Sequence, residues 1–243
     1  LGDVYKRQRI TSSIQARILA EKPYAPVFRD VRVTFTRYLS LSQKKGYSMA
    51  YSHNAPFRAD VVGSYLRPAE LKAAREDFAA GKIDAAALKA VEDKAITELV
   101  AKQKAAGLHV ITDGEFRRGW WHFDFMWGFN GVDHAAAAHR VAFHDEVTPA
   151  DTATVTGRIS GENHPFVEHF KFVKQFEDEN TVARQTMPSP AQTRFVLTGN
   201  AAAYPYDEFY KNDDELTADI VAAYRQVIAD LYAAGCRNVQ FDD

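Results

Sequence analysis

The chain has 243 residues, of which 46% are hydrophobic and 26% charged, a composition typical of a globular protein. The single cysteine excludes an intramolecular disulfide and a zinc site built from several cysteines, and it predicts a reducing, cytoplasmic environment. No apolar run reaches the roughly 18 residues that a membrane-spanning helix needs, so no membrane association is expected. The formal net charge is −2, far from the strongly basic balance of a nucleic-acid-binding protein.

The first 48 residues differ in charge and pattern from the rest. They hold ten basic and three acidic side chains, whereas the remaining 195 residues hold 20 basic and 29 acidic ones. An acidic body argues against nucleic-acid binding, because phosphate recognition needs clustered lysine and arginine. The segment has no clear helical or alternating period, and its opening LGDVYKRQ resembles translated sequencing-adapter read-through. We predict that residues 1–48 are a non-native or disordered extension; an Arg-rich targeting presequence is the alternative.

From Met49 onward, strand-like runs alternate with helical patterns. The predicted strands cover residues 59–64, 108–111, 182–187 and 238–243. The predicted helices cover residues 68–80, 84–106, 164–179, 190–197 and 213–234, and residues 131–164 form an excursion of extended, hairpin-like pieces. Such alternation predicts parallel strands with right-handed crossovers. A complete (β/α)8 barrel needs about 250 residues, so we predict an α/β fold in which residues 49–243 form the first four units of a TIM barrel.

Acidic and hydroxyl side chains follow each predicted strand. In a parallel barrel the carboxyl ends of the strands face the active site. A lone aspartate or serine at such a place is more often a turn-former or a helix cap, but their recurrence at successive strands predicts a shared polar site. The residues are Ser64, Asp113, Glu115, Ser189, Asp242 and Asp243.

Three segments together resemble a known family. They are Val62-Gly63-Ser64, Asp113-Gly114-Glu115-Phe116-Arg117-Arg118 and Gln240-Phe241-Asp242-Asp243. In this order and spacing they resemble the catalytic domain of cobalamin-independent methionine synthase, in particular its short single-domain relatives, over about the first half of that domain. The resemblance implies a (β/α)8 barrel that transfers a methyl group from 5-methyltetrahydrofolate, in its polyglutamate form, to the zinc-bound thiolate of homocysteine, forming methionine.

The resemblance also implies roles for individual residues. Val62, Gly63 and Ser64 would contact the amino-acid part of homocysteine, Glu115 would hold the amino acid, and Asp242 would bind its ammonium group. This agrees with the chemistry of a zwitterion, because carboxylates meet the ammonium group while backbone N–H and hydroxyl groups meet the carboxylate. Both partners expected from the resemblance, homocysteine and methyltetrahydrofolate, are small molecules.

Zinc is the cofactor that the resemblance implies. The ligands of the family are a histidine and a cysteine after the fifth strand, a glutamate on the sixth and a late cysteine, and all would lie beyond Asp243. We therefore expect no metal ligand and no catalytic residue in this chain, and no activity from the chain alone. Cys236 precedes the fourth strand, at the opposite end of the barrel, and is predicted to be a small buried hydrophobe.

Other interpretations of the same residues stay open at this point. Glu115 and Asp242 also suit the acid and nucleophile of a TIM-barrel glycosidase, and Arg117-Arg118 is thin evidence for a porphyrinogen decarboxylase. An incomplete barrel that aggregates or pairs with another chain is the non-enzymatic alternative. Three tryptophans offer a stacking surface for a pterin-like ring, but a hydrophobic lid or core plug is the favoured interpretation. They are Trp120, Trp121 and Trp127.

Overall fold

The computed structural model describes residues 32–36, 61–137, 142–143, 146–147 and 151–242. Its helices are α1 (Ala69–Ala79), α2 (Ala85–Ala105), α3 (Phe123–Met126), α4 (Phe166–Lys174), α5 (Pro190–Gly199) and α6 (Asp213–Ala233). Its strands are β1 (Arg32–Thr36), β2 (Val110–Ile111), β3 (Asn130–Ala136), β4 (Ala142–Phe143), β5 (Glu146–Val147), β6 (Asp151–Ser160), β7 (Val182–Ala183), β8 (Gln185–Pro188) and β9 (Asn238–Asp242). The α/β class is confirmed, and a barrel truncated to four units stays a prediction. No helix in these ranges is long and apolar enough to cross a membrane.

Parallel pairing joins the strands that carry the predicted site. β9 lies between β1 and β8 and runs parallel to both. β2 pairs in parallel with β7, and Ser64 forms an isolated parallel bridge to Gly114 beyond the end of β2. Because β8 and β9 run in the same direction, their carboxyl ends lie together, and Pro188 is the register partner of Asp242. α5 and α6 supply the crossover that two parallel neighbours need.

The predicted strand over 59–64 is wrong in its described part. Residues 61–64 form only the bridge at Ser64. The reason is Gly63, whose φ of +113° breaks an extended backbone. Residues 59–60 and Asp243 lie outside the described residues. β1 falls within the segment that we predicted to be an extension, and the other residues of 1–48 also lie outside the described ranges, so the nature of that segment stays a prediction.

The excursion over residues 131–164 contains the extended pieces that its sequence pattern predicted. β3 and β6 pair in antiparallel fashion, and β4 and β5 form a second antiparallel pair. Val132 lies opposite Val155, and both side chains are buried. The β3–β6 pair therefore contributes one apolar face to the same hydrophobic core as the helices.

α6 buries more residues than any other helix in the described part of the chain. The predicted stripe is buried in full, with no member more than 2% exposed: Leu216, Ile220, Ala223, Val227 and Leu231. Asn212 begins the helix, since its side chain accepts hydrogen bonds from the backbone N–H groups of Asp214 and Glu215. Helical spacing and a capping residue together account for this element.

β9 is buried on both faces, and its two faces differ in character. Its residues alternate between polar and apolar: Asn238, Val239, Gln240, Phe241 and Asp242. The ring of Phe241 contacts Tyr224 of α6, with 6.1 Å between ring centroids. Because successive side chains of a strand point to opposite faces, the polar residues face away from α6. They therefore form a polar inner face that leads to the end of the strand.

Candidate functional site

A cavity of about 650 Å³ lies where the loop before α1 meets the ends of β2 and β9. Four of the five residues that the sequence predicted to bind substrate line it: Val62, Ser64, Glu115 and Asp242. Glu115 and Asp242 are 4% and 8% exposed, whereas Ser64 is exposed at the rim. The structure therefore brings the predicted hydroxyl and the two predicted carboxylates to one cleft.

Gly63, the fifth predicted residue, lies buried beneath the cleft. A Cβ atom at this position would lie 2.9 Å from Thr186 Cγ2 and 3.1 Å from Thr112 Cγ2. The Thr112 hydroxyl donates a 2.6 Å hydrogen bond to the Gly63 carbonyl. Close packing and the positive φ both require glycine here, and the resulting turn presents Ser64 at the rim of the cavity.

Glu115 is held at the cavity by an unusual backbone and a specific partner. Its φ is +59°, and its N–H donates a 2.9 Å hydrogen bond to Asp113 Oδ1, so Asp113 stabilises the turn. Glu115 Oε1 accepts from Arg118 Nη1 at 3.1 Å and from Thr186 Oγ1 at 3.3 Å. Burial raises the pKa of the Glu115 carboxyl because it disfavours the charged form, and the Arg118 guanidinium opposes that shift.

Arg118 contacts Glu115 beside the cavity, whereas the sequence analysis considered it only as thin evidence for a porphyrinogen decarboxylase. Its side chain is 1% exposed, and its Nη2 donates to the Thr186 carbonyl at 2.7 Å and to Thr186 Oγ1 at 2.8 Å. The guanidinium lies over the Phe166 ring, 4.6 Å from its centroid. Through these contacts Arg118 holds the Glu115 carboxylate in one orientation. Its place in the DGEFRR segment is the signal that could have found it.

Arg67 is a second residue that the sequence analysis did not assign to the site. It lines the cavity, where its Nη2 donates to the backbone carbonyls of Glu115 at 3.1 Å and Arg118 at 2.7 Å. The sequence pattern indicated only the start of α1 at this point. Ser189 follows the end of β8, as predicted, and there it caps α5 by accepting a 3.1 Å hydrogen bond from the Gln192 N–H.

The three tryptophans differ in whether they line the cavity. Trp120 and Trp121 line the cavity. Trp127 packs elsewhere, stacked on His134 with 3.3 Å between ring centroids and on Phe123 with 5.6 Å. Trp120 also packs against the core, with its ring centroid 5.7 Å from that of Phe123. The favoured interpretation of a packing role therefore describes Trp120 and Trp127, and the indoles of Trp120 and Trp121 form an apolar wall of the cavity.

The described part of the chain holds no group of three or more His, Cys, Asp or Glu side chains that could bind a metal ion. The described residues therefore do not fit the zinc that the family resemblance implies. Cys236 is fully buried at the start of β9, as predicted, and burial raises the pKa of its thiol to about 11. A protonated, enclosed thiol is a poor metal ligand.

Comparison with known proteins gives a consistent picture. The uncharacterized proteins YxjH and YxjG of Bacillus subtilis are 39% and 41% identical over 198 and 189 residues, covering 82% and 77% of this chain and 51% and 48% of theirs. A methionine synthase of Saccharolobus solfataricus is 27% identical over 190 residues, 75% of this chain and 51% of its own. The chain thus spans about half the length of the curated relatives it matches.

Solved structures and a protein family also match this chain. A putative vitamin-B12-independent methionine synthase from Listeria monocytogenes matches 77% of this chain and 52% of its own, with a TM-score of 0.64 and 39% identity. A B12-independent methionine synthase from Shewanella, in complex with selenomethionine, matches 67% and 44%, with a TM-score of 0.52 and 25% identity. The family described as cobalamin-independent synthase, catalytic domain, matches residues 57–243. The chain therefore belongs to the cobalamin-independent synthase catalytic-domain family.

Proposed function

We propose that this chain supplies the homocysteine-binding half of a methyltransferase that uses 5-methyltetrahydrofolate as the methyl donor and forms methionine. One observation carries the proposal: Ser64, Glu115 and Asp242 line a single cavity in a member of this family. The family match gives no support to a glycosidase that uses Glu115 and Asp242. A barrel architecture for the protein and a cytoplasmic location, where a thiol substrate stays reduced, belong to the same proposal.

The cavity has the charges that an amino-acid zwitterion requires. The ammonium group binds between the carboxylates of Glu115 and Asp242, because charge-assisted hydrogen bonds of this kind are among the strongest in proteins. The substrate carboxylate binds at the turn of Val62, Gly63 and Ser64, where backbone N–H groups and a hydroxyl are available. The apolar wall of indoles beside the carboxylates suits the aliphatic and sulfur-containing tail.

The residues present bind and orient the amino acid, and they do not activate its sulfur. A free thiol with a pKa of about 8.5 is mostly protonated at neutral pH, and coordination to a metal ion deprotonates it. The described residues offer no such metal site, so we assign no step of the transfer to them. We propose that this chain alone binds the acceptor without catalysing methyl transfer.

Calorimetric titration of the chain with L-homocysteine and L-methionine tests the proposal. We expect both to bind, and we expect 3-(methylthio)propionate, which lacks the ammonium group, to bind far more weakly. Glu115→Gln and Asp242→Asn should each lower the affinity about tenfold or more, since each removes a charged partner of the ammonium group. Glu92→Gln is the matched control, because Glu92 is equally buried but pairs with Arg75 and Arg117 away from the cavity.

Two results would contradict this function. The first is the absence of binding by either amino acid. The second is binding that does not distinguish L-methionine from the analogue without an ammonium group, since the carboxylates would then take no part in recognition.

A further inference from the structure

We propose that Gln240 is a positioning residue for the amino-acid site. It fixes both the turn that begins at Val62 and the carboxylate of Asp242, and Arg184 sets the orientation of the Gln240 amide. This inference rests on the proposed function and deepens it. It assigns no contact between Gln240 and the substrate. Gln240 acts through the backbone of Val62 on one side and through the carboxylate of Asp242 on the other.

The contacts of Gln240 join two elements that are far apart in the chain. Its Nε2 donates a 2.7 Å hydrogen bond to the Val62 carbonyl and a 2.8 Å hydrogen bond to Asp242 Oδ1. Val62 begins the turn proposed to hold the substrate carboxylate, and Asp242 is the group proposed to hold the ammonium. Gln240 is 1% exposed, so water has little access to its amide group.

Arg184 determines which end of the amide points to the site. Its Nη1 donates a 2.7 Å hydrogen bond to Gln240 Oε1, and its Nε donates to Asn238 Oδ1 at 3.3 Å. A guanidinium only donates, so the partner atom of the amide must be its oxygen. The amide nitrogen is then directed to the Val62 carbonyl and to Asp242 Oδ1, which both accept. Donors therefore face acceptors throughout the group formed by the side chains of Arg184, Gln240 and Asp242.

The size and shape of the Gln240 side chain do not by themselves account for its role; the hydrogen bonds that its amide donates are also needed. A glutamate in place of Gln240 has nearly the same size but no donor when it is ionised. It would keep the contact to Arg184 and set an oxygen against the oxygens of Val62 and Asp242. Protonation restores one O–H donor; the like charge of Asp242 favours that proton, and the Arg184 guanidinium opposes it. The effect of Gln240→Glu should therefore depend on pH.

The test is calorimetric titration of the 243-residue chain and its Gln240→Glu variant with L-methionine at about pH 8 and at about pH 5.5, where a larger fraction of the new carboxyl is protonated. At the higher pH we expect the variant to bind roughly tenfold to a hundredfold more weakly than the unaltered chain. At the lower pH the ratio of the two dissociation constants, variant over unaltered chain, should be severalfold smaller. Gln226→Glu is the matched control, because the Gln226 amide likewise donates to a carboxylate, Asp230 Oδ1 at 2.9 Å, on a helix that does not line the cavity. The ratio of affinities for this variant should stay near one at both pH values.

The outcomes separate the positioning role from the proposed function. Gln240→Glu with unaltered affinity at the higher pH, or with a ratio that does not change on acidification, overturns the positioning role while the proposed function stands. No binding of L-methionine by the unaltered chain overturns both. Should circular dichroism show that Gln240→Glu is unfolded, Gln240→Met decides. A loss of about tenfold at both pH values supports the role, and unchanged affinity overturns it.

Discussion

Replacement of Arg118 by methionine should destabilise the fold and weaken the site together. The substitution keeps an unbranched apolar stem but removes the guanidinium that pairs with Glu115 at 3.1 Å and donates twice to Thr186. Glu115 is 4% exposed, so it would be left as a buried carboxylate without this partner. Removing one member of a buried ion pair costs about 3–5 kcal/mol of unfolding free energy, a large part of the 5–15 kcal/mol typical of a domain. Urea unfolding followed by circular dichroism measures the loss.

The destabilisation by Arg118→Met should grow as the pH rises. Burial already raises the pKa of the Glu115 carboxyl and Arg118 opposes that shift, so the substitution raises the pKa further. A carboxyl with a higher pKa in the folded state binds its proton more tightly when folded, so its contribution to stability is present at low pH and is lost as the pH rises through the folded pKa. The difference in unfolding free energy between variant and unaltered chain should therefore be smaller at about pH 4.5 than at about pH 7.5.

Two further variants make the Arg118 reasoning refutable. Adding Glu115→Gln to Arg118→Met should recover part of the lost stability, because it removes the unpaired charge. Arg117→Met is the matched control: its side chain is 5% exposed and pairs with Glu92 at 3.1 Å, away from the cavity. We expect it to lower stability and to leave L-methionine affinity unchanged. Equal destabilisation by Arg118→Met at both pH values, without recovery in the double variant, would refute the reasoning.

Three further variants test the local structure by urea unfolding. Gly63→Ala should cost more than Gly81→Ala, because both have positive φ but a new Cβ meets Thr186 at 2.9 Å in the first and nothing within 4 Å in the second; equal losses would exclude the packing argument. Ser189→Ala should cost about 1 kcal/mol through the loss of a helix cap, and no loss would mean that the cap is unimportant. Tyr224→Phe should cost about 1–3 kcal/mol, because its buried hydroxyl hydrogen-bonds Thr193 at 2.7 Å and Pro188 at 3.0 Å; a neutral result would contradict this.

Helical periodicity gave the most reliable structural predictions from the sequence. The stripe of α6 is buried as predicted because helical spacing places its residues on one face whatever lies opposite. The first strand was predicted wrongly because Val61 and Val62 favour extended structure, whereas the tertiary packing of Gly63 against Thr112 and Thr186 sets the turn. Local propensity cannot register a contact between distant segments.

The site could be predicted from three motifs, but the residues that support it could not. Ser64, Glu115 and Asp242 stand in short segments with a characteristic order, so the shared cleft was expected. That Trp120 and Trp121 but not Trp127 would line the cavity was not expected, because all three stand in one aromatic run. Sequence spacing gives the order of side chains along the chain, and it does not give the surface on which each one packs.

The polar inner face of β9 shows why the supporting residues escaped prediction and why they matter. Gln240 stands in a short strand between Val239 and Phe241, where an apolar residue would bury at lower cost. Arg184 and Arg118, both nearly inaccessible, likewise exchange favourable hydration for hydrogen bonds inside the fold. A buried charged network of this kind seldom stabilises a protein more than a well-packed apolar one. Its benefit lies in orientation, because each partner fixes the next until the carboxylates at the cleft have one position. We therefore expect apolar replacements of Arg184 to weaken amino-acid binding by more free energy than they remove from the free energy of unfolding.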